Sequence, residues 1–298
     1  MAAKCGVGFG DFVERCDARG CLQSSVMPPL IRTSSADRNR MTLIFVGDIH
    51  QNWHHVETGL SALPTPPNAA VLLGDIECAL PLDRMAAPLL DRGVGVYWIH
   101  GNHDYDTGPE MWANLADPGR NPLTAAGALH RRVIEIGGVR VAGLGGTFLP
   151  HVWPANASPR LHRREQLAAD LAVSRPDLDP AQAAAFTHFL TTTAIWPEDV
   201  DALAAQQADV LVTHEAPSSH PEGVSALDDL ARAMGARLIV HGHHHITSHA
   251  RADDGLRVLG VGDTWAVDLD GNVVWRGRKR QRPLPRPGDG WVVQSIAA

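Results

Sequence analysis

The sequence predicts an α/β protein whose strands pair in both senses, and three observations carry that expectation. Short runs of buried-type residues at 42–46 (TLIFV), 70–73 (AVLL) and 94–99 (VGVYWI) alternate with helix-length segments at 54–63 and 82–91, the punctuation of βαβ units. Two further runs, 131–136 (RRVIEI) and 139–144 (VRVAGL), flank Gly137 and Gly138, a pair suited to a tight hairpin. The chain has 298 residues, 44% of them apolar and 20% charged. At that size a folded domain buries roughly three quarters of the surface its unfolded chain exposes, so disulfides are not required.

Residues 1–40 show no sustained period of 2 or 3.6 and read as a poorly structured leader, with Met27 and Met41 as plausible alternative starts. The ordered domain is expected over 41–278. Within it, 150–205 is Ala-rich, contains the pairs Trp153-Pro154 and Trp196-Pro197, and carries helical patterns at 163–171 and 180–190, so it reads as a helical insertion or lid. Strands follow at 209–213 and 238–240, with a helix at 226–234 between them and late strands at 256–261 and 273–275. Residues 279–298 read as a tail, and five of the seven residues 276–282 are basic, most simply a solvated end.

No apolar run approaches the roughly 20 residues of a membrane-spanning helix. Lys4, Asp11, Glu14, Arg15, Asp17 and Arg19 interrupt every candidate signal sequence. Cys5, Cys16 and Cys21 lie in the leader and Cys78 stands alone, a scatter unlike a disulfide framework or a thiolate zinc site, so a cytoplasmic location is expected. The 26 basic against 33 acidic residues give a net charge of -7, which disfavours an extended nucleic-acid footprint.

The chemistry gathers where strands end, the usual ligand-binding edge of an open α/β sheet. The first strand runs into Gly47, Asp48, Ile49 and His50; if the chain stays extended there, Asp48 and His50 point to one side. The second ends at Gly74 and Asp75, the third at Gly101, Asn102, His103 and Asp104, a later one at His214, and the last at Gly242, His243, His244 and His245. Oxygen and imidazole donors without thiolates suit manganese, iron or zinc. Asp48, His50, Asp75, Asn102, His214, His243 and His245 exceed one site, and a carboxylate at Asp75 can bridge two ions roughly 3.5 to 4 Å apart.

These blocks, in this order, resemble the calcineurin-like metallophosphoesterase superfamily, whose signature is GDxH, GDxx, GNH(D/E), a lone His and GHxH. The resemblance implies a four-layer α/β/β/α sandwich with two mixed sheets. It also implies one ion on Asp48, His50, Asp75 and His245 and a second on Asp75, Asn102, His214 and His243, with a metal-bridging hydroxide attacking phosphorus. His103 then lies beside the phosphate as the proton donor to the leaving oxygen, with Asp104 holding its ring.

The expected activity is hydrolysis of phosphomonoesters or phosphodiesters of a small soluble molecule, with two divalent cations as cofactors and no membrane partner. Two alternatives are a nuclease or nucleic-acid-associated phosphodiesterase, supported only by the basic segment 276–282, and a non-catalytic scaffold, opposed by the intact His103 and ligand set. Residues 74–79 (GDIECA) lack the Asp-Arg-Gly found after the second motif in protein phosphatases of the superfamily, which disfavours that activity. Glu215, beside the lone His, departs from the small residue or Pro of many relatives and is expected to turn away from the metals. His54 and His55 are expected at the surface, and His244 is expected to point away from its neighbours. Among the other histidines only His100, His151 and His241 are candidates for outer or substrate contacts, with surface or core packing the favoured reading for each, while Cys78, Trp153, Trp196 and Trp265 read as packing residues.

Overall fold

The computed structural model describes residues 42–278 and 290–295. The leader, with Cys5, Cys16 and Cys21, and residues 279–282 of the basic segment lie outside the described residues. In chain order the elements are β1 (Leu43–Val46), α1 (Trp53–Ser61), β2 (Ala69–Leu73), α2 (Leu82–Met85), α3 (Ala87–Leu90), β3 (Gly95–Ile99) and α4 (Pro109–Ala116). The chain continues through β4 (Arg132–Ile136), β5 (Val139–Leu144), α5 (Leu167–Ser174), α6 (Pro180–Thr193), α7 (Pro197–Ala204), β6 (Val210–Thr213) and α8 (Ser225–Met234). It closes with β7 (Leu238–His241), β8 (Ser248–Ala252), β9 (Arg257–Gly260), β10 (Ala266–Asp268), β11 (Val273–Trp275) and β12 (Trp291–Ser295).

Two mixed sheets result, ordered β11-β10-β1-β2-β3 and β12-β8-β9-β7-β6-β5-β4. The alternation of side chains along each strand sorts the apolar residues into three stacked cores. Leu43, Phe45, Val71 and Leu73 meet Val141, Val210, Val212, Val240 and Leu259 between the sheets. The opposite faces of β1 and β2 send Ile44, Val46, Ala70 and Leu72 against Val56 and Leu60 of α1. Leu211, Ile239 and Val258 pack on Leu203 of α7 and Leu227, Leu230 and Met234 of α8. Three cores between four layers make the α/β/β/α sandwich.

The hairpin forms as expected, with φ of 60° at Gly137 and 83° at Gly138, both in the positive region that the tightest hairpin turn requires. The helix expected over 82–91 is split into α2 and α3, because Pro88 lacks the amide hydrogen that a continuous helix would use there. Segment 150–205 contributes α5, α6 and α7 and has its own core of Val152, Leu161, Leu167, Leu171, Leu190 and Trp196. Arg164 in this segment places both terminal nitrogens 2.8 Å from the buried Asp199 carboxylate, which also lies 2.9 Å from Arg131 Nε just before β4. Residues 291–295, inside the stretch read as a tail, pair antiparallel with β8 as an edge strand. Among the described residues no helix is long and apolar enough to cross a membrane.

Candidate metal centre

The carboxyl ends of β1, β2, β3, β6 and β7 converge, and the chain leaves β1, β2 and β7 by left-handed turns, not extended. Asp48, His50, Asp75, His243 and His245, five of the seven candidate ligands, have φ between 26° and 68°. Such conformations cost of order 1–3 kcal/mol each in non-glycine residues and persist where surrounding contacts over-determine them. The expectation that Asp48 and His50 converge along an extended strand is therefore corrected: β1 ends at Val46, and the turn brings the two side chains together.

Asp48, His50, Asp75 and His245 offer donor atoms that lie within 4.8 Å of one another, as do Asp75, His214 and His243. Asp75 belongs to both groups. In the first, His50 Nε2 lies 3.8 Å from Asp75 Oδ2 and 3.1 Å from His245 Nε2, which is 3.8 Å from Asp48 Oδ1. In the second, His214 Nε2 is 3.4 Å from Asp75 Oδ1 and 2.9 Å from Asn102 Oδ1. The His214 Nδ1–H donates to the Leu73 carbonyl at 2.7 Å, which leaves Nε2 facing the group. Backbone donors hold the carboxylates: His243 N–H bonds both oxygens of Asp48, and His103 N–H bonds Asp75 Oδ1 at 2.8 Å.

The glycines admit this crowding. A Cβ on Gly101 would collide with Asp75 Oδ1 and the His214 ring, and one on Gly242 would meet Asp48 Oδ2 at 2.7 Å.

Charge in the protein alone is unevenly shared. Burial pushes the Asp48 carboxyl up to about 7 against the pull of His214. Burial acts on Asp75 in the same direction, but His214 and the His103 amide hold it well below the usual carboxylate range. Burial would lower His214, yet Asp75 and Asp48 carry it up to about 10, while burial and the His214 charge bring His243 down to about 4. Two buried carboxylates thus draw a proton onto one imidazole. Divalent cations would supply that positive charge with every imidazole neutral, and oxygen and imidazole donors match manganese, iron or zinc, so the residues present fit two such ions.

His103 starts a short 3₁₀ turn, His103–Tyr105, and its ring stands edge-to-face with His50 at 5.4 Å between centroids. Asp104 does not hold that ring, contrary to expectation. Its buried carboxylate accepts the amides of Ile76 (2.8 Å) and Glu77 (2.7 Å) on Oδ1 and of Gly101 (2.8 Å) on Oδ2, tying the second motif to the third. Asp106 takes the ring instead, with Oδ2 2.6 Å from His103 Nδ1. Burial would lower His103, but the bond to Asp106 and the nearby Asp75 raise it above the ordinary imidazole value.

Glu215 also departs from expectation: it faces the centre, with Oε2 3.9 Å from His243 Nε2, Oε1 accepting the Phe148 amide, and burial raising its carboxyl. Glu77, which motif reading passed over, accepts His50 Nδ1–H on Oε1. His244 leaves the two groups and stacks on His220 with ring centroids 3.7 Å apart and planes 16° apart, with Glu222 3.7 Å away. Face-to-face rings set their nitrogens side by side, so an ion in the plane of one ring lies off the plane of the other.

His54 is exposed and His55 donates to the Arg276 carbonyl at 2.8 Å. His100 packs on His130 and Trp112, His151 lies 2.9 Å from Asp170 of α5, and His241 bonds the neighbouring Gly242 carbonyl. Cys78, Trp196 and Trp265 are buried in the cores, and Arg276 lies over the Trp265 ring.

The region that builds this centre is also the region shared with known proteins. Residues 41–247 match the family model described as calcineurin-like phosphoesterase. An uncharacterized protein of Haemophilus influenzae is 31% identical over 240 residues, covering 78% of this chain and 96% of that one. A crystal structure from Thermus thermophilus superposes with a TM-score of 0.50 at 14% identity over 79% of this chain and 97% of the other, a likeness of fold. The family match spans every motif from Asp48 to His245, and the chain belongs to the calcineurin-like phosphoesterase family.

Proposed function

We propose that this protein is a metal-dependent phosphoester hydrolase acting on a small soluble phosphomonoester or phosphodiester. The observation that carries the reading is the sharing of Asp75 between two donor groups, Asp48–His50–Asp75–His245 and Asp75–His214–His243 with Asn102 beside His214. Those residues would hold two divalent cations, Asp75 between them. Bound there, the ions supply Lewis-acid polarisation of phosphoryl oxygens and a water of lowered pKa.

The chain's own residues do the rest. Backbone amides of His243 and His103 aim Asp48 and Asp75, so the ligand set is organised before substrate arrives. His103, half-exposed beside the first group, donates a proton to the leaving oxygen. Asp106 favours the protonated imidazole and sets its Nδ1–H, leaving Nε2–H for the substrate.

The test is hydrolysis of an aryl phosphomonoester and an aryl phosphodiester by the full chain with manganese, with and without chelator. Turnover of at least one ester that chelator abolishes and manganese restores is expected. Turnover indifferent to chelator, or none on these esters or on a panel of phosphorylated metabolites, overturns the proposal.

A further inference from the structure

We infer that Glu77 is the positioning residue of His50, and that through His50 it sets the affinity of the Asp48–His50–Asp75–His245 group for its ion. The inference rests on the reading of two metal-binding groups given above. A carboxylate accepts and does not donate, so Glu77 Oε1, 2.5 Å from His50 Nδ1, places the ring proton on Nδ1. Nε2 is then left with its lone pair, and it faces Asp75 Oδ2 at 3.8 Å and His245 Nε2 at 3.1 Å. Two imidazole nitrogens opposed at that distance need a proton or a cation between them, and the Nδ1 tautomer favours the cation.

Glu77 is itself held by two further hydrogen bonds. Gln51 Nε2 donates to its second oxygen at 3.1 Å, and its amide is bonded to Asp104 Oδ1 at 2.7 Å. Its backbone is left-handed, φ 56°, which turns the side chain back toward His50 across 27 residues of sequence. His50 is left-handed too, φ 44°, so neither residue sits in a conformation its own backbone prefers. Removing the carboxylate frees the imidazole to rotate and to exchange tautomers while its backbone remains in place. This also explains the buried Asp104: it serves the metal centre by holding the amides of Ile76 and Glu77, not by touching His103.

The experiment is titration of the metal-free full chain with manganese and with zinc, read by calorimetry, for the parent protein, Glu77→Ala and Glu77→Gln. Thermal unfolding of each metal-free protein runs alongside. Loss of a carboxylate behind a ligating histidine typically weakens metal binding roughly 10- to 100-fold. For Glu77→Ala a rise of that size in one of two Kd values is expected, the other holding near the parent value, with the metal-free unfolding midpoint unchanged. Glu77→Gln keeps an oxygen that can accept the Nδ1 proton and should fall between parent and Glu77→Ala. Two ions bound by the parent and by both variants with equal Kd overturn this inference alone, as does weakening matched by a falling metal-free midpoint. A parent chain that binds no ion overturns the underlying reading as well.

Discussion

His103 and Asp106 stand one 3₁₀ turn apart, with Nδ1 and Oδ2 2.6 Å from one another, so the imidazole beside the metal centre is oriented by the third residue after it. The adjacent Asp104 points inward instead. The two acidic residues therefore have separable roles, and their substitutions should have different signatures. His103→Gln is expected to lower turnover by roughly 10²- to 10⁴-fold with both ions retained. Asp106→Asn should lower it less, by about 10- to 100-fold, and narrow the pH range of activity on the alkaline side, where an unsupported imidazole loses its proton earlier. Steady-state kinetics across pH with metal quantification checks both, and full activity in either variant contradicts the assignment.

Asp104→Asn should behave as a structural lesion. An amide can accept on one oxygen only, so of the three backbone amides now bonded, that of Gly101 or the pair at Ile76 and Glu77 loses its partner. A buried donor left unsatisfied costs about 1–3 kcal/mol, and denaturant unfolding of the metal-free protein should show a loss of that size.

Gly101→Ala tests the packing of the centre directly. The added methyl would fall on Asp75 Oδ1 and the His214 ring, and neither can retreat because both are buried and hydrogen-bonded. Overpacking of this kind costs about 1–3 kcal/mol. The variant should fold with a lower unfolding midpoint and lose its metal-dependent turnover; circular dichroism and metal analysis on one preparation check this.

The helical insertion hangs on a different set of charges. Asp199 is wholly buried between Arg164 and Arg131. Arg164→Met leaves that carboxylate with Arg131 as its one close arginine and should destabilise the chain by about 3 kcal/mol, the lower end for breaking a buried pair. Metal content should be unchanged, since none of the three residues belongs to the two donor groups.

Much of this architecture was legible in the order of residues, for identifiable reasons. Strands covered on both faces must be apolar throughout, so β1, β2 and β3 announced themselves, and the paired glycines of the hairpin stand where only positive φ serves. By contrast, β8 (Ser248, His249, Ala250, Arg251, Ala252) has no β-branched residue and no Tyr, Phe or Trp, and β10 is three residues long. In the centre, residue type and spacing after a strand marked the seven candidate ligands. They could not show that the backbone there is left-handed, because that conformation is imposed by long-range contacts such as Asp48 with His243. The pairing of Asp104 with His103 came with the family resemblance, not from the local chain geometry. A 3₁₀ turn eclipses residues three apart, which is why Asp106 is the partner. Glu77 fills an unspecified position of the GDxx block and Glu215 follows the lone His, so no motif marks either as part of the centre, and they meet it only through folding.

The central claim is that seven side chains from five loops hold two cations with Asp75 between them. Elemental analysis of the folded full chain, loaded with excess manganese, iron or zinc and then desalted, reads it most directly, beside the same measurement on Asp75→Asn. The account predicts about two ions per parent chain and fewer than one per variant chain, because a bridging ligand serves both positions. A folded parent that retains no ion, or an Asp75→Asn chain that keeps both, would contradict it.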